Sequence, residues 1–226
     1  MNPSASFIQQ LSSLSCAPII PAELQFGPAL ILDLSPQSPM WQQLADPAQF
    51  ETYVAQQMQQ QQTQLCIGRY NEQRLIYQDK PQFSDSSDRT LHIGLDLGVP
   101  AGTAVMSPLD AEVHGFARHQ QDGDYGPVII LKHKLPDLCF YTLYGHLSSC
   151  SLENISRGKQ IRAGERFAAI GDRHENGGWA PHLHLQIIRD LEDYQGDYPG
   201  VVAPKEADFY LANCPDPNLL VRRQDL

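Results

Sequence analysis

From Arg89 to Arg189, short apolar runs alternate with Gly, Pro and Asp turn signals, and no long amphipathic helix interrupts them. A segment without a helical stripe has to bury its apolar side chains as strands, so this stretch predicts a mainly β domain. Two runs within it show the strand period clearly. In His92-Ile93-Gly94-Leu95-Asp96-Leu97, successive side chains on a strand face opposite ways. His92, Gly94 and Asp96 then share one face, and Ile93, Leu95 and Leu97 the other. In His182-Leu183-His184-Leu185-Gln186-Ile187 the same split places two imidazoles and an amide opposite three aliphatic residues.

The flanks read differently, and divide the chain into a 1–88 α+β region, an 89–190 β domain and a 191–226 extension packed on the core. Asn2-Pro3 starts a short helix with Phe7, Ile8, Leu11 and Leu14 on one face. Ala29 to Leu34 reads as a strand between Pro28 and Pro36. Asp46-Pro47-Ala48-Gln49 reads as a helix start, with Phe50, Tyr53, Val54 and Met58 at helical spacing and a solvated Gln-rich end. Ile67–Tyr70 and Leu75–Tyr77 predict a hairpin turning at Asn71-Glu72, and residues 84–88 a polar linker. The Pro-rich extension carries one short helix near Lys205 to Leu211.

Composition excludes several function classes. The 226 residues are 42% hydrophobic and carry a net charge of −10, an ordinary globular balance with no basic footprint for nucleic acid or anionic lipid. The longest aliphatic runs, Ala29–Leu32 and Val128–Leu131, are far shorter than the ~18 residues of a membrane span. The first Lys or Arg is Arg69, so the basic start of a secretory signal is missing and a cytoplasmic protein is expected. Five cysteines, an odd number without a C-x-x-C, predict buried reduced thiols; Cys139 and Cys150 pair only if their strands lie adjacent.

The histidines carry the chemistry. Two imidazoles and one carboxylate on facing strands suit Zn²⁺, and three protein ligands leave the fourth position for water, which is the mark of a catalytic site. Gly94 leaves room between His92 and Asp96 for a shared ion. Tyr144-Gly145-His146-Leu147-Ser148 follows the apolar run Phe140–Leu143 and brings His146 towards the same polar face. His114, His119, His133 and His174 lack such context and read as non-ligands.

The segment from His92 to Ile188 resembles the lysostaphin/LytM-type zinc metallopeptidases. The pattern opens with H-x-G-x-D at His92, Gly94 and Asp96. It continues through Gly102-Thr103-Ala104-Val105 to Tyr144-Gly145-His146-Leu147-Ser148. The run Ile155 to Gly164 and Ile170-Gly171 follow, and Pro181-His182-Leu183-His184-Leu185 closes it. Gly177 to Pro181, Pro199-Gly200-Val201 and Cys214 to Leu220 are similar to a branch in which such a domain sits in larger chains with a class III aminotransferase domain. The resemblance departs at Asn176-Gly177-Gly178-Trp179-Ala180, where Ser/Thr-Gly is usual, and at Gln186, where Glu is usual. Both departures bear on the substrate.

The resemblance implies an antiparallel β-sheet catalytic domain of the LytM type (a duplicated hybrid motif). It implies one Zn²⁺ per chain held by His92, Asp96 and His184, with His146 and His182 as catalytic histidines. Trp179, in the segment that departs from the resemblance, is expected to line the cleft and contact the substrate. The activity implied is hydrolysis of a peptide or peptidoglycan-fragment amide by an activated water. A non-catalytic metal-binding or interaction domain of the same fold is the alternative, but it gives His146 no task. A lipoyl- or biotin-carrier-like domain needs a Met-Lys turn that this chain lacks.

Overall fold

The computed structural model describes residues 3–44, 49–76 and 89–226. In chain order the first region holds α1 (Pro3–Ser13), α2 (Ala22–Gln25), β1 (Ala29–Leu32), α3 (Met40–Gln43), α4 (Phe50–Gln60), β2 (Leu65–Gly68) and β3 (Glu72–Gln73). There follow β4 (Leu91–His92), β5 (Leu95–Gly98), β6 (Ala104–Met106), β7 (Ala111–Arg118), β8 (Pro127–Leu135) and β9 (Leu138–Gly145). The rest comprises β10 (Gln160–Ile161), β11 (Arg166–Ala169), β12 (Leu183–Ile188), β13 (Val201–Val202), α5 (Ala207–Asn213) and α6 (Asn218–Val221). The expected helix start at 46–48, the 84–88 linker and Tyr77 lie outside the described residues.

The architecture is mainly β. An eight-stranded sheet runs β1-β2-β5-β12-β9-β8-β7-β10, antiparallel throughout except for the β1–β2 pair. The β8–β9 hairpin closes with Leu135 opposite Leu138, around the two-residue turn Pro136-Asp137. Two strands of the first region, β1 and β2, extend this sheet past β5. A three-stranded sheet, β13-β4-β3, stands beside it.

Both faces of the large sheet are covered, which is why β8 reads Val128-Ile129-Ile130-Leu131 without alternation. Ile129 and Leu131 pack with Leu95, Leu97, Leu185 and Ile187, under Phe7 and Leu11 of α1 and Leu220 and Val221 of α6. Val128 and Ile130 pack on the opposite face with Leu143 and Ile188, under Tyr198, Val202 and Cys214 of the C-terminal extension. His184 and Gln186 share this second face with Ile188, so the apolar layer ends where the polar site begins.

Three expectations need correction. His92 to Leu97 is not one strand: the chain leaves the small sheet at His92, bends at Ile93-Gly94 and enters the large sheet at Leu95. The hairpin across Asn71-Glu72 does not form. The chain turns there, with Asn71 at φ 53°, but β2 pairs with β1 and β5 while β3 pairs with β4, because longer-range partners outcompete the local one. Of the five free thiols only Cys214 is buried; Cys139 and Cys150 are exposed, on a hairpin strand and a single helical turn.

Candidate metal centre

Three ligand-type atoms meet at the end of β4, β5 and β12. His184 lies directly opposite Asp96 in the β12–β5 register. His184 Nδ1 is 3.0 Å from Asp96 Oδ1, His92 Nε2 is 3.2 Å from the same oxygen, and the two nitrogens are 3.0 Å apart. The bend at Gly94 permits this convergence. A Cβ there would stand 2.4 Å from His184 Cε1, so the room that the glycine provides is taken by the ligand ring rather than by an ion.

The surrounding hydrogen bonds decide which ring nitrogens carry protons. His92 Nδ1–H donates to the Arg69 carbonyl at 2.9 Å. Gln186 donates its Nε2 to the Pro199 carbonyl at 3.1 Å, which turns its Oε1 towards His184 Nε2 at 2.9 Å. That nitrogen is therefore the donor. In the neutral tautomers these bonds select, His92 Nε2 and His184 Nδ1 are the acceptor nitrogens, and both face Asp96 Oδ1. Burial, with the Arg74 guanidinium close by, lowers His92 to about 4, so the ring is neutral near pH 7. Burial pushes the Asp96 carboxyl up, but the His92 ring and the Arg74 guanidinium outweigh it and hold the group well below the usual carboxylate range.

Such a cluster fits a small cation. Zn²⁺ with bonds of ~2.0–2.1 Å at tetrahedral angles places its ligand atoms ~3.3 Å apart. The observed separations of 3.0 to 3.2 Å are close to that edge. Among the described residues this trio is the group able to hold a metal ion.

His146 and His182 stand beside it, with ring centroids 4.2 Å apart. His146 Nδ1–H donates to the Asn176 carbonyl at 2.8 Å, and His182 Nδ1–H donates to the Ala180 carbonyl at 2.7 Å. Each ring thus keeps a bare Nε2, and His182 Nε2 lies 3.9 Å from Asp96 Oδ1. Burial and the neighbouring His182 and His184 hold His146 well below its ordinary value; burial lowers His182 as well. His146 occupies the left-handed region at φ 60°, a strained backbone for a non-glycine residue. Its N–H donates to the Tyr125 carbonyl and its carbonyl accepts from Gly171 N–H, which pins the conformation.

The loop of Asn176 to Ala180 is built for this purpose. Asn176 is fully buried, accepts the Trp179 N–H at 3.0 Å and donates to the Trp179 carbonyl at 3.0 Å. Gly177, at φ 88°, passes so close to the Asp124 carbonyl that a Cβ has no space. Trp179 lines the cleft in front of the histidines, and Leu32, Leu34 and Trp41 of the first region form part of its wall.

The structure therefore brings together all five residues singled out by their spacing, with Trp179 at the cleft. The remaining histidines lie elsewhere: His133 is buried between the Asp110 carbonyl and Thr142, His114 packs on Tyr141, His119 faces Asp124, and His174 is exposed. Sequence reasoning missed Arg74, the Arg69 carbonyl, Tyr125 and the role of Gln186. Tyr125 donates its hydroxyl to Gln186 Oε1 at 3.1 Å and closes the network. Among the described residues no helix is long and apolar enough to cross a membrane.

Over 139 residues the chain is 26% identical to the peptidoglycan DD-endopeptidase ShyA of Vibrio cholerae, covering 59% of this chain and 30% of that protein. Over 94 residues it is 31% identical to the cell division protein DipM of Caulobacter vibrioides, covering 42% and 14%. The chain thus spans less than a third of the length of either. The catalytic domain of the prophage-encoded M23 protein EnpA of Enterococcus faecalis is similar at 20% identity and a TM-score of 0.37, over 51% of this chain and 77% of that one. The stretch 90–196, which carries His92, Asp96, His146, His182 and His184, matches peptidase family M23.

Proposed function

We propose that this chain is a zinc-dependent endopeptidase that hydrolyses an amide bond in a peptide or a peptidoglycan fragment. The carrying observation is the convergence of three ligand-type atoms, His92 Nε2, Asp96 Oδ1 and His184 Nδ1, beside two imidazoles that are not part of that trio. The first three residues would hold the ion. When bound, Zn²⁺ supplies Lewis acidity, which lowers the pKa of water and polarises a carbonyl oxygen.

The other groups act on the substrate and on the proton. The bare Nε2 of His146 or His182 accepts a proton from the attacking water and returns it to the leaving amine. A ring that holds that proton also stabilises the oxyanion of the tetrahedral species. Their lowered pKa values keep them in the basic form at neutral pH. Trp179, held by Asn176 and the Asp124 carbonyl, orients the chain of the substrate across the cleft. The match of residues 90–196 to family M23 and the likeness to ShyA, a peptidoglycan DD-endopeptidase, favour a peptidoglycan peptide as substrate.

The test is digestion of soluble muropeptides and a peptide library by the zinc-loaded full chain, read by mass spectrometry. Cleavage that a chelator abolishes and zinc restores is expected. A fully zinc-loaded protein that cleaves nothing in either set contradicts the reading.

A further inference from the structure

The metal trio has a partner that comes from outside residues 90–196. Arg74 follows β3 and is 1% exposed. Its guanidinium donates from Nη1 to Asp96 Oδ2 at 2.6 Å, from Nε to Glu72 Oε2 at 3.0 Å, and from Nη2 to the Arg69 carbonyl at 3.0 Å. That carbonyl also accepts the Nδ1–H of His92. The other oxygen of Glu72 accepts the backbone N–H of Leu34 at 3.0 Å, so the guanidinium is braced by a carboxylate that is itself anchored. Gly68 of β2, opposite Asp96 in register, makes the space: a Cβ there would stand 2.6 Å from Arg74 Nη2 and 3.2 Å from Asp96 Oδ2.

A carboxylate can give a metal one oxygen or two. Here Oδ1 faces the imidazoles and Oδ2 is occupied by Arg74. We propose that Arg74 is a positioning residue that holds Asp96 to one-oxygen ligation, keeping a coordination place open for water, and that the 65–76 stretch is thereby part of the metal centre. The inference rests on the zinc reading given above. Arginine suits the task because its planar, permanently charged fork bonds Asp96, Glu72 and a carbonyl at once; lysine keeps the charge but not the fork.

The test uses the full chain, with Arg74→Met, Arg74→Lys and Glu72→Gln, each checked for folding by circular dichroism. Two readouts apply, neither depending on turnover: zinc affinity by chelator competition, and the visible absorption of the Co²⁺-substituted protein. Wild type should give the intense bands of four-coordinate cobalt. Arg74→Met should give the weaker bands of a higher coordination number, with zinc affinity reduced about 10–100-fold, as for lost outer partners of metal ligands. Arg74→Lys should recover part of both, and Glu72→Gln should move the spectrum in the same direction as Arg74→Met. A folded Arg74→Met protein with the wild-type cobalt spectrum and an affinity within about threefold of wild type overturns the inference. If Arg74→Met does not fold, an unchanged spectrum in Glu72→Gln overturns it. A wild-type protein that binds neither metal overturns the zinc reading itself, an outcome distinct from the other two.

Discussion

Gln186 Oε1 accepts the Nε2–H of His184 at 2.9 Å while the Gln186 amide nitrogen is committed to the Pro199 carbonyl. The amide orientation therefore fixes the imidazole tautomer, and the Nδ1 lone pair turns towards Asp96 and His92. The same amide ties the ring to the C-terminal extension through Pro199. Gln186→Leu should keep all three ligands yet lower zinc affinity about 10–100-fold, measured by chelator competition. Gln186→Glu should retain the metal, since a carboxylate still accepts from His184.

Gly94 gives a second route to the same site without touching a ligand. A methyl group there would press on His184 Cε1 and on the Leu185 carbonyl, 2.9 Å away. Gly94→Ala should therefore displace the ring and lose tight zinc binding in a protein that stays folded, as followed by calorimetric titration with zinc and by circular dichroism.

His146 should separate binding from turnover. Its Nδ1 is committed to the Asn176 carbonyl, and it is not among the three converging atoms. His146→Ala should hold zinc as tightly as wild type and lose about 10²–10⁴-fold in turnover on any peptide that the wild type cleaves. His182→Ala should behave in the same way.

His133, away from the metal centre, contributes to the acid sensitivity of the fold. Burial lowers its pKa from 6.5 to about 4, so it stays neutral in the fold and binds a proton more readily once unfolded. The sign follows: stability is complete above pH ~6.5 and falls as the pH drops towards ~4, below which the loss levels off. Between pH 7.5 and 4.5 the wild type should lose about 2–3 kcal/mol more than His133→Gln, measured by urea unfolding of the metal-free proteins.

The part of the site that was legible in the sequence is the part that obeys a short period. His182, His184 and Asp96 could be placed because alternation with Leu183, Leu185 and Leu97 left only one arrangement with a buried apolar face. Alternation along one strand does not account for His92, since the chain bends at Gly94 and His92 belongs to a different sheet from Asp96. The rest depends on long-range pairing that no local pattern carries. Arg74 is one charged residue after a two-residue strand, and only the pairing of β2 with β5 and of β3 with β4 brings it to Asp96. Tyr125 and the strained backbone of His146 are consequences of the packed loops around Asn176. The fold class followed from the density of strand signals; the joining of β1 and β2 to the same sheet did not.

Metal content decides the account most directly. Protein purified after growth with zinc, dialysed and measured by inductively coupled plasma mass spectrometry, should hold about one zinc per chain. His184→Ala measured in parallel should hold close to none. A wild-type chain without bound zinc, or a His184→Ala chain that keeps it, would contradict the assignment of His92, Asp96 and His184 as a metal centre.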